Sequence, residues 1–367
     1  MRIAVDAKVL SGERLTGIGY YTYSILKHLA QIDSKNEYVL LSKSPIVHKI
    51  NAPNFKEKIL KFLPFFWSYF RLPFEFIRNK YDVLFVPTIV LPLFKRPKSI
   101  VVCHDLFIDS KSLKLKVYMW VATHFVLKRC DKIIAVSLST KNDIIEKSGV
   151  SADKIVVIQH GYNLELYKQI KNESLVSKVL TKYGIRKKYI INTSSLLCNR
   201  KNLSKLIKAF KIFKQRTDSD YQLVITGERG NAYKEIINLI EYLKLKDDVI
   251  LTGYVPVEDV PLLLNGAEVL VFTSKYEGFG FPILEAMACG CPVITSNVSS
   301  MPEVAGDAAI LVNPEDENEI AEAIGNVLED DNIKKQLREK GFEEVKKFSW
   351  EKVAKETLKV IEGVLRE

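Results

Sequence analysis

The sequence predicts an α/β protein with two doubly wound, largely parallel sheets, and three observations carry that expectation. Short apolar runs alternate with longer amphipathic stretches along all 367 residues, the pattern of buried strands joined by crossover helices. The pattern occurs twice, with six runs on each side of a polar, Lys-rich stretch at 167–184. The length suits two domains of ordinary size, each with its own core.

In chain order, the first half offers strands at 2–6, 38–42, 82–86, 99–103, 132–136 and 155–159. The opening Met1-Arg-Ile-Ala-Val-Asp6 reads as a strand rather than a leader peptide. Thr16-Gly-Ile-Gly19 precedes a helix at 20–29, with glycines that let backbone N–H groups reach a ligand. The aromatic stretch 62–77, preceded by Lys56, Lys58 and Lys61, reads either as a core helix or as an interfacial membrane contact. The second half offers strands at 189–193, 222–226, 248–252, 268–272, 292–295 and 308–312, then a separate amphipathic helix at 350–365. These elements predict an N-terminal domain of 1–166, a connection with a short helix at 167–184 and a C-terminal domain of 185–349.

Apolar content of 47% and a mean hydropathy of +0.01 describe a soluble globular chain. No run approaches the ~20 apolar residues of a membrane-spanning helix. The five cysteines are scattered, odd in number and without a Cys-x-x-Cys pair, as expected of reduced thiols in the cytoplasm. Charge is uneven: residues 1–165 hold 25 Lys+Arg against 14 Asp+Glu, a net of +11, and the remainder is −1. No nucleic-acid-reading motif accompanies that basic surface. An anionic membrane face or a pyrophosphate-linked lipid suits it better, placing the protein in the cytoplasm with peripheral contact at the inner membrane face.

The chemistry concentrates at predicted strand ends, where open α/β sheets bind ligands. Glu277 and Glu285 flank Gly278-Phe279-Gly280-Phe281-Pro282-Ile283, a turn running into a helix start. Gly278 and Gly280 allow close backbone approach, and the first helical turn is a seat for phosphate. Two carboxylates facing such a turn suit a ligand with phosphate and several hydroxyls, such as a nucleotide sugar. Arg200 and Lys201, in Asn199-Arg-Lys-Asn202, oppose the dipole of the following helix unless an anion lies beside them. His104-Asp105 follows the apolar run ending at Cys103.

The segment from Glu277 to Glu285 resembles the E-x7-E signature of retaining glycosyltransferases of the GT-B architecture, family 4. The Thr-Gly-Ile-Gly loop, His104-Asp105-Leu106, Arg200-Lys201-Asn202 and Pro302-Glu303-Val304 through Gly306-Asp307-Ala308 resemble the same family in order. The resemblance implies two Rossmann-like domains facing a cleft, with 350–367 crossing back to the first domain. It implies donor contacts at Gly17, with Gly19 a turn residue, and a His104 ring bonded to a sugar hydroxyl. Arg200 and Lys201 would neutralise the leaving diphosphate. Glu277 would touch the transferred sugar and Glu285 both ribose hydroxyls. The Phe279, Gly280, Phe281 and Ile283 amides would hold sugar and phosphate, and the Tyr254–Val255 backbone would read the base. Thr193-Ser194-Ser195 departs from the family's usual glycine.

The implied reaction moves a hexose, first mannose from GDP-mannose, to a hydroxyl of a glycan or lipid-linked acceptor in surface-polysaccharide synthesis. The sugar nucleotide is a substrate, and neither cofactor nor metal is expected. Asp218-Ser-Asp220 could be a metal-binding D-x-D, but it precedes a strand, at the opposite end of the sheet from the other motifs. The alternatives are a UDP-sugar-dependent retaining transferase with a soluble acceptor, and an inactive sugar-nucleotide-binding scaffold.

Overall fold

Strands form where apolar runs can be covered on both faces. The computed structural model of the chain describes residues 1–61, 67–92, 94, 96–107, 113–194, 199–230 and 232–366. The first sheet contains β1 (Arg2–Asp6), β2 (Glu37–Ser42), β3 (Phe55–Ile59), β4 (Val83–Val86), β5 (Lys98–Cys103), β6 (Lys132–Ala135) and β7 (Ile155–Val157), in the order β3-β2-β1-β4-β5-β6-β7. The second contains β8 (Tyr189–Asn192), β9 (Gln222–Thr226), β10 (Val249–Gly253), β11 (Val269–Phe272), β12 (Val293–Ser296) and β13 (Ile310–Val312), in the order β10-β9-β8-β11-β12-β13. Every pairing is parallel. The strand order reverses beside β1 and beside β8, as in doubly wound folds.

The chain divides into two units, Met1–Gly161 with Ser349–Glu367, and Tyr162–Phe348. The last helix, Trp350–Gly363, packs on helix Gly17–Ile32 of the first unit. Its buried Trp350, Val353, Ala354, Thr357 and Ile361 form one helical face, and the Ser349 hydroxyl caps its start by accepting from the Lys352 N–H at 3.2 Å. Helix Glu173–Lys182, in the segment expected to be a connection, belongs to the second unit and packs on helix Val260–Gly266.

The strand β3 was not expected from the sequence. Its Phe-Lys-Glu-Lys-Ile has only Phe55 buried, because a charged edge strand has no neighbour on its outer side to bury against. Lys56 pairs with Glu37 at 2.9 Å, and Lys58 with the buried Glu75 at 2.6 Å. Two of the three lysines proposed as a membrane front therefore already have carboxylate partners. Within the aromatic stretch, residues 62–66 lie outside the described residues. Beyond them Trp67, Leu72 and Phe76 are buried, and the Trp67 Nε1–H donates to the Leu60 carbonyl at 2.8 Å, so these residues serve the core, whereas Phe74 and Ile77 of the same stretch are exposed. Among the described residues, no helix is long and apolar enough to cross a membrane.

Candidate active site

In the second unit, the residues after β8 and β11 meet. Lys201 Nζ donates to Glu277 Oε1 at 2.6 Å, and the Ser274 hydroxyl donates to the same oxygen at 2.6 Å. Arg200 Nη2 lies 4.0 Å from Glu277 Oε2. Glu277 is only 8% exposed, so its charge is balanced by two cations and a hydroxyl rather than by water. The arrangement is fixed from both sides. The Arg200 carbonyl accepts from the Lys275 N–H at 2.8 Å, and the Ser274 hydroxyl oxygen lies 3.0 Å from it. The Ser299 and Ser300 hydroxyls donate to the Glu277 carbonyl at 2.7 and 2.8 Å, and Ser300 is also 2.6 Å from the Phe279 carbonyl.

Asn202 supplies the turn that aims the two cations. It is buried in the left-handed region, φ 59, and its side-chain amide donates to the Thr273 and Pro314 carbonyls at 3.0 and 2.6 Å. Asparagine tolerates that conformation far better than a β-branched residue. Gly280 has φ 120 at the start of helix Phe281–Ala288, which no side chain caps among the described residues. The Ile283 N–H there already donates to the Gly280 carbonyl at 3.1 Å, so that amide is engaged within the turn. Phe279 packs against Phe281 and Phe348, with ring centroids 5.4 and 5.9 Å apart.

Glu285 lies in the second turn of that helix. Burial pushes its carboxyl up to about 7, opposed by a hydrogen bond from the Tyr167 side chain. Tyr167 had no predicted role in the site, since nothing in its local sequence links it to a helix more than a hundred residues away. Val255 is buried and Tyr254 half-exposed after Gly253, whose φ is 71. Near the end of β8 and β11, Asn192 Oδ1 and the hydroxyls of Thr193, Ser194 and Thr273 are buried polar atoms without a hydrogen-bond partner among the described residues. Ser195 and Cys198 lie outside the described residues.

In the first unit, helix Gly17–Ile32 starts three residues earlier than expected, capped by Thr16, whose Oγ1 accepts from the Gly19 N–H at 3.3 Å. Gly19 is therefore a buried helical residue and not a turn residue. A Cβ there would lie 3.1 Å from Leu15, whereas one at Gly17 would meet nothing within 4 Å among the described residues. Tyr21, one turn along, meets the His104 ring edge-on at 4.9 Å. His104 also stacks on His160 at 5.4 Å, and its Nε2 is 3.1 Å from the Pro87 carbonyl. A carbonyl can only accept, so Nε2 carries the proton and Nδ1 is left as an acceptor. Burial lowers the His104 pKa to about 4, so the ring is neutral near pH 7.

Asp218, with φ 48, ends helix Leu203–Thr217, and Asp220 pairs with Lys187 at 2.5 Å before β9. Both thus serve a turn at the strand's beginning. Pro302 and Glu303 lie in helix Met301–Ala305, followed by Gly306, where a Cβ would meet the Glu344 carboxylate at 2.7 Å.

Residues 15–166 match the family described as Glycosyltransferase Family 4, and residues 178–344 match Glycosyl transferases group 1. The O-antigen chain mannosyltransferase B of Escherichia coli is 30% identical over 94% of this chain and 95% of that protein. The O-antigen chain mannosyltransferase RfbU of Salmonella typhimurium is 27% identical over 85% of this chain and 88% of that one. Among solved structures, Anabaena Alr3699/HepE in complex with UDP and glucose superposes with a TM-score of 0.78 at 19% identity, covering 99% of this chain and all of the other. At that identity the likeness concerns the fold.

Proposed function

The chain belongs to the family 4 glycosyltransferases of GT-B architecture, and on that premise we propose that it transfers mannose from GDP-mannose, with retention, to a hydroxyl of a lipid-linked or oligosaccharide acceptor in surface-polysaccharide assembly. The observation that carries this reading is Glu277, held by Lys201 and Ser274 with Arg200 beside it at the carboxyl end of the second sheet. A carboxylate set between two cations offers one ligand both acceptors for hydroxyls and charge for a diphosphate. The two mannosyltransferase relatives support the choice of sugar.

In the proposed reaction the C1–O bond to the diphosphate breaks as the acceptor oxygen bonds C1 on the same face. The acceptor's proton passes to an oxygen of the departing diphosphate. Arg200 and Lys201 stabilise the charge that develops there, in a site whose low dielectric strengthens each contact. Glu277 receives hydroxyls of the transferred hexose, and Glu285 the two ribose hydroxyls. In the first unit, His104 Nδ1 is an acceptor suited to a sugar hydroxyl, and the place a Cβ would take at Gly17 has no close neighbour among the described residues. With two cations at the phosphates, the reaction needs no divalent metal.

Titration calorimetry with GDP-mannose and UDP-glucose tests the donor. Binding of GDP-mannose at least tenfold tighter supports the proposal. The reverse preference would favour a UDP-sugar-dependent transferase with a soluble acceptor. Binding of a donor without turnover or slow donor hydrolysis would point to an inactive scaffold.

A further inference from the structure

One helical layer of the first unit turns an apolar row toward water. Helix Leu113–Val121 continues through a wide turn, Ala122–Val126, into Leu127–Arg129. Its inner side is anchored, with Ala122, Val126 and Leu127 buried in the core of the unit and Met119 packed against it. The outer side is apolar as well. Leu113 is 73% exposed, Val117 54% and Trp120 61%, and their spacing places them along one face. A helix at a protein–water boundary ordinarily carries polar residues there.

The charge within this segment has one sign. Residues 113–129 contain four Lys and Arg and no Asp or Glu; Lys116 and Lys128 are exposed, and the Arg129 guanidinium lies 4.8 Å over the half-exposed Phe125 ring. Phe74 and Ile77 are also exposed, on helix Leu72–Arg78, whose inner residues join the same core cluster. An aromatic and aliphatic row bordered by cations is the chemistry of a lipid interface. A second copy of the chain seated face to face would bring like charges together.

We propose that this face seats the protein on an anionic phospholipid surface, with Val117 and Trp120 entering the headgroup boundary and Lys116 and Lys128 meeting lipid phosphates. It deepens the functional reading by giving a lipid-linked acceptor a place to be met, yet its test needs no turnover. The contact lies on this helix rather than on the edge strand β3, whose Lys56 and Lys58 have carboxylate partners.

Of the three tryptophans, Trp67 and Trp350 are 1% and 4% exposed, so a change in emission on adding vesicles reports Trp120. Phosphatidylglycerol-containing vesicles should shift the emission to the blue and sediment the protein, and phosphatidylcholine vesicles should do so far less. The response should fall steeply between 0.05 and 0.5 M salt, as the Debye length shrinks from above ~10 Å to a few Å. Lys116→Gln with Lys128→Gln should weaken binding roughly thirtyfold. Val117→Ser with Trp120→Ser, read by co-sedimentation, should weaken it at least tenfold while leaving the thermal midpoint and donor binding unchanged. Absence of vesicle binding, or binding that survives both double variants, overturns the proposal. So does a dimer that forms without vesicles and is lost in the serine variant, which would make the face a contact between copies.

Discussion

Lys201→Met should separate what Lys201 does for the fold from what it does for the reaction. In the wild type its ammonium is 2.6 Å from a carboxylate that is 8% exposed. Removing one member of a buried pair leaves the other charge uncompensated, a loss of about 3–5 kcal/mol. Here Ser274 stays at 2.6 Å and Arg200 at 4.0 Å, so the smaller end of that range applies. For a folding unit of this size, ~3 kcal/mol lowers the thermal midpoint by roughly 6–12 °C. Turnover should fall by about a hundredfold or more, since one stabiliser of developing charge contributes ~3–4 kcal/mol, and donor affinity should fall less. The double variant Lys201→Met, Glu277→Gln decides between the roles, because it removes both charges and should recover most of the thermal midpoint. If Lys201 acts on the leaving diphosphate, turnover in the double variant stays well below that of Glu277→Gln alone, which carries any loss from the sugar contact. Turnover equal to that of Glu277→Gln alone would refute that role and leave Lys201 as a partner of Glu277 alone.

The raised pKa of Glu285, about 7, makes donor binding depend on pH. Hydroxyl donors favour the ionised carboxylate, so affinity should be about tenfold weaker at pH 6 than at pH 8 by linkage. Glu285→Gln should flatten the profile, and a flat wild-type profile by calorimetry counts against the ribose contact. Activity should persist in excess EDTA; loss with recovery on adding Mn²⁺ would return attention to Asp218 and Asp220. Gly161→Ala would put a Cβ 2.3 Å from the Trp350 backbone nitrogen. It should destabilise the first unit by about 1–3 kcal/mol or more, visible as a lower urea midpoint. An unchanged midpoint would mean that the junction yields.

Most of the architecture was legible because its signals are local. Runs such as Val269–Phe272 and Val83–Val86 are apolar throughout, and only a strand covered on both faces needs that. The strand β3 escaped notice because one edge of an edge strand meets solvent, and its Lys56 and Lys58 answer carboxylates on β2 and on helix Leu72–Arg78. Helix Glu173–Lys182 was visible as a helix but not as part of the second unit, since its partner, helix Val260–Gly266, lies some eighty residues on.

The candidate site divides along the same line. Composition and motif spacing by themselves determined the α/β class, the doubled sheet plan and the residues brought to the strand ends: His104, Arg200, Lys201, Glu277 and Glu285. Turn chemistry is local enough to read, as with Gly280 at a helix start. Pairing is not. That Lys201 bonds Glu277, that Tyr167 bonds Glu285, that Gly19 sits inside a helix against Leu15, and that Trp120 faces water while Met119 faces the core were all decided by tertiary structure. The physical reason is that a side chain's charge state and partners depend on what the fold removes from water around it, and those neighbours arrive from distant parts of the chain.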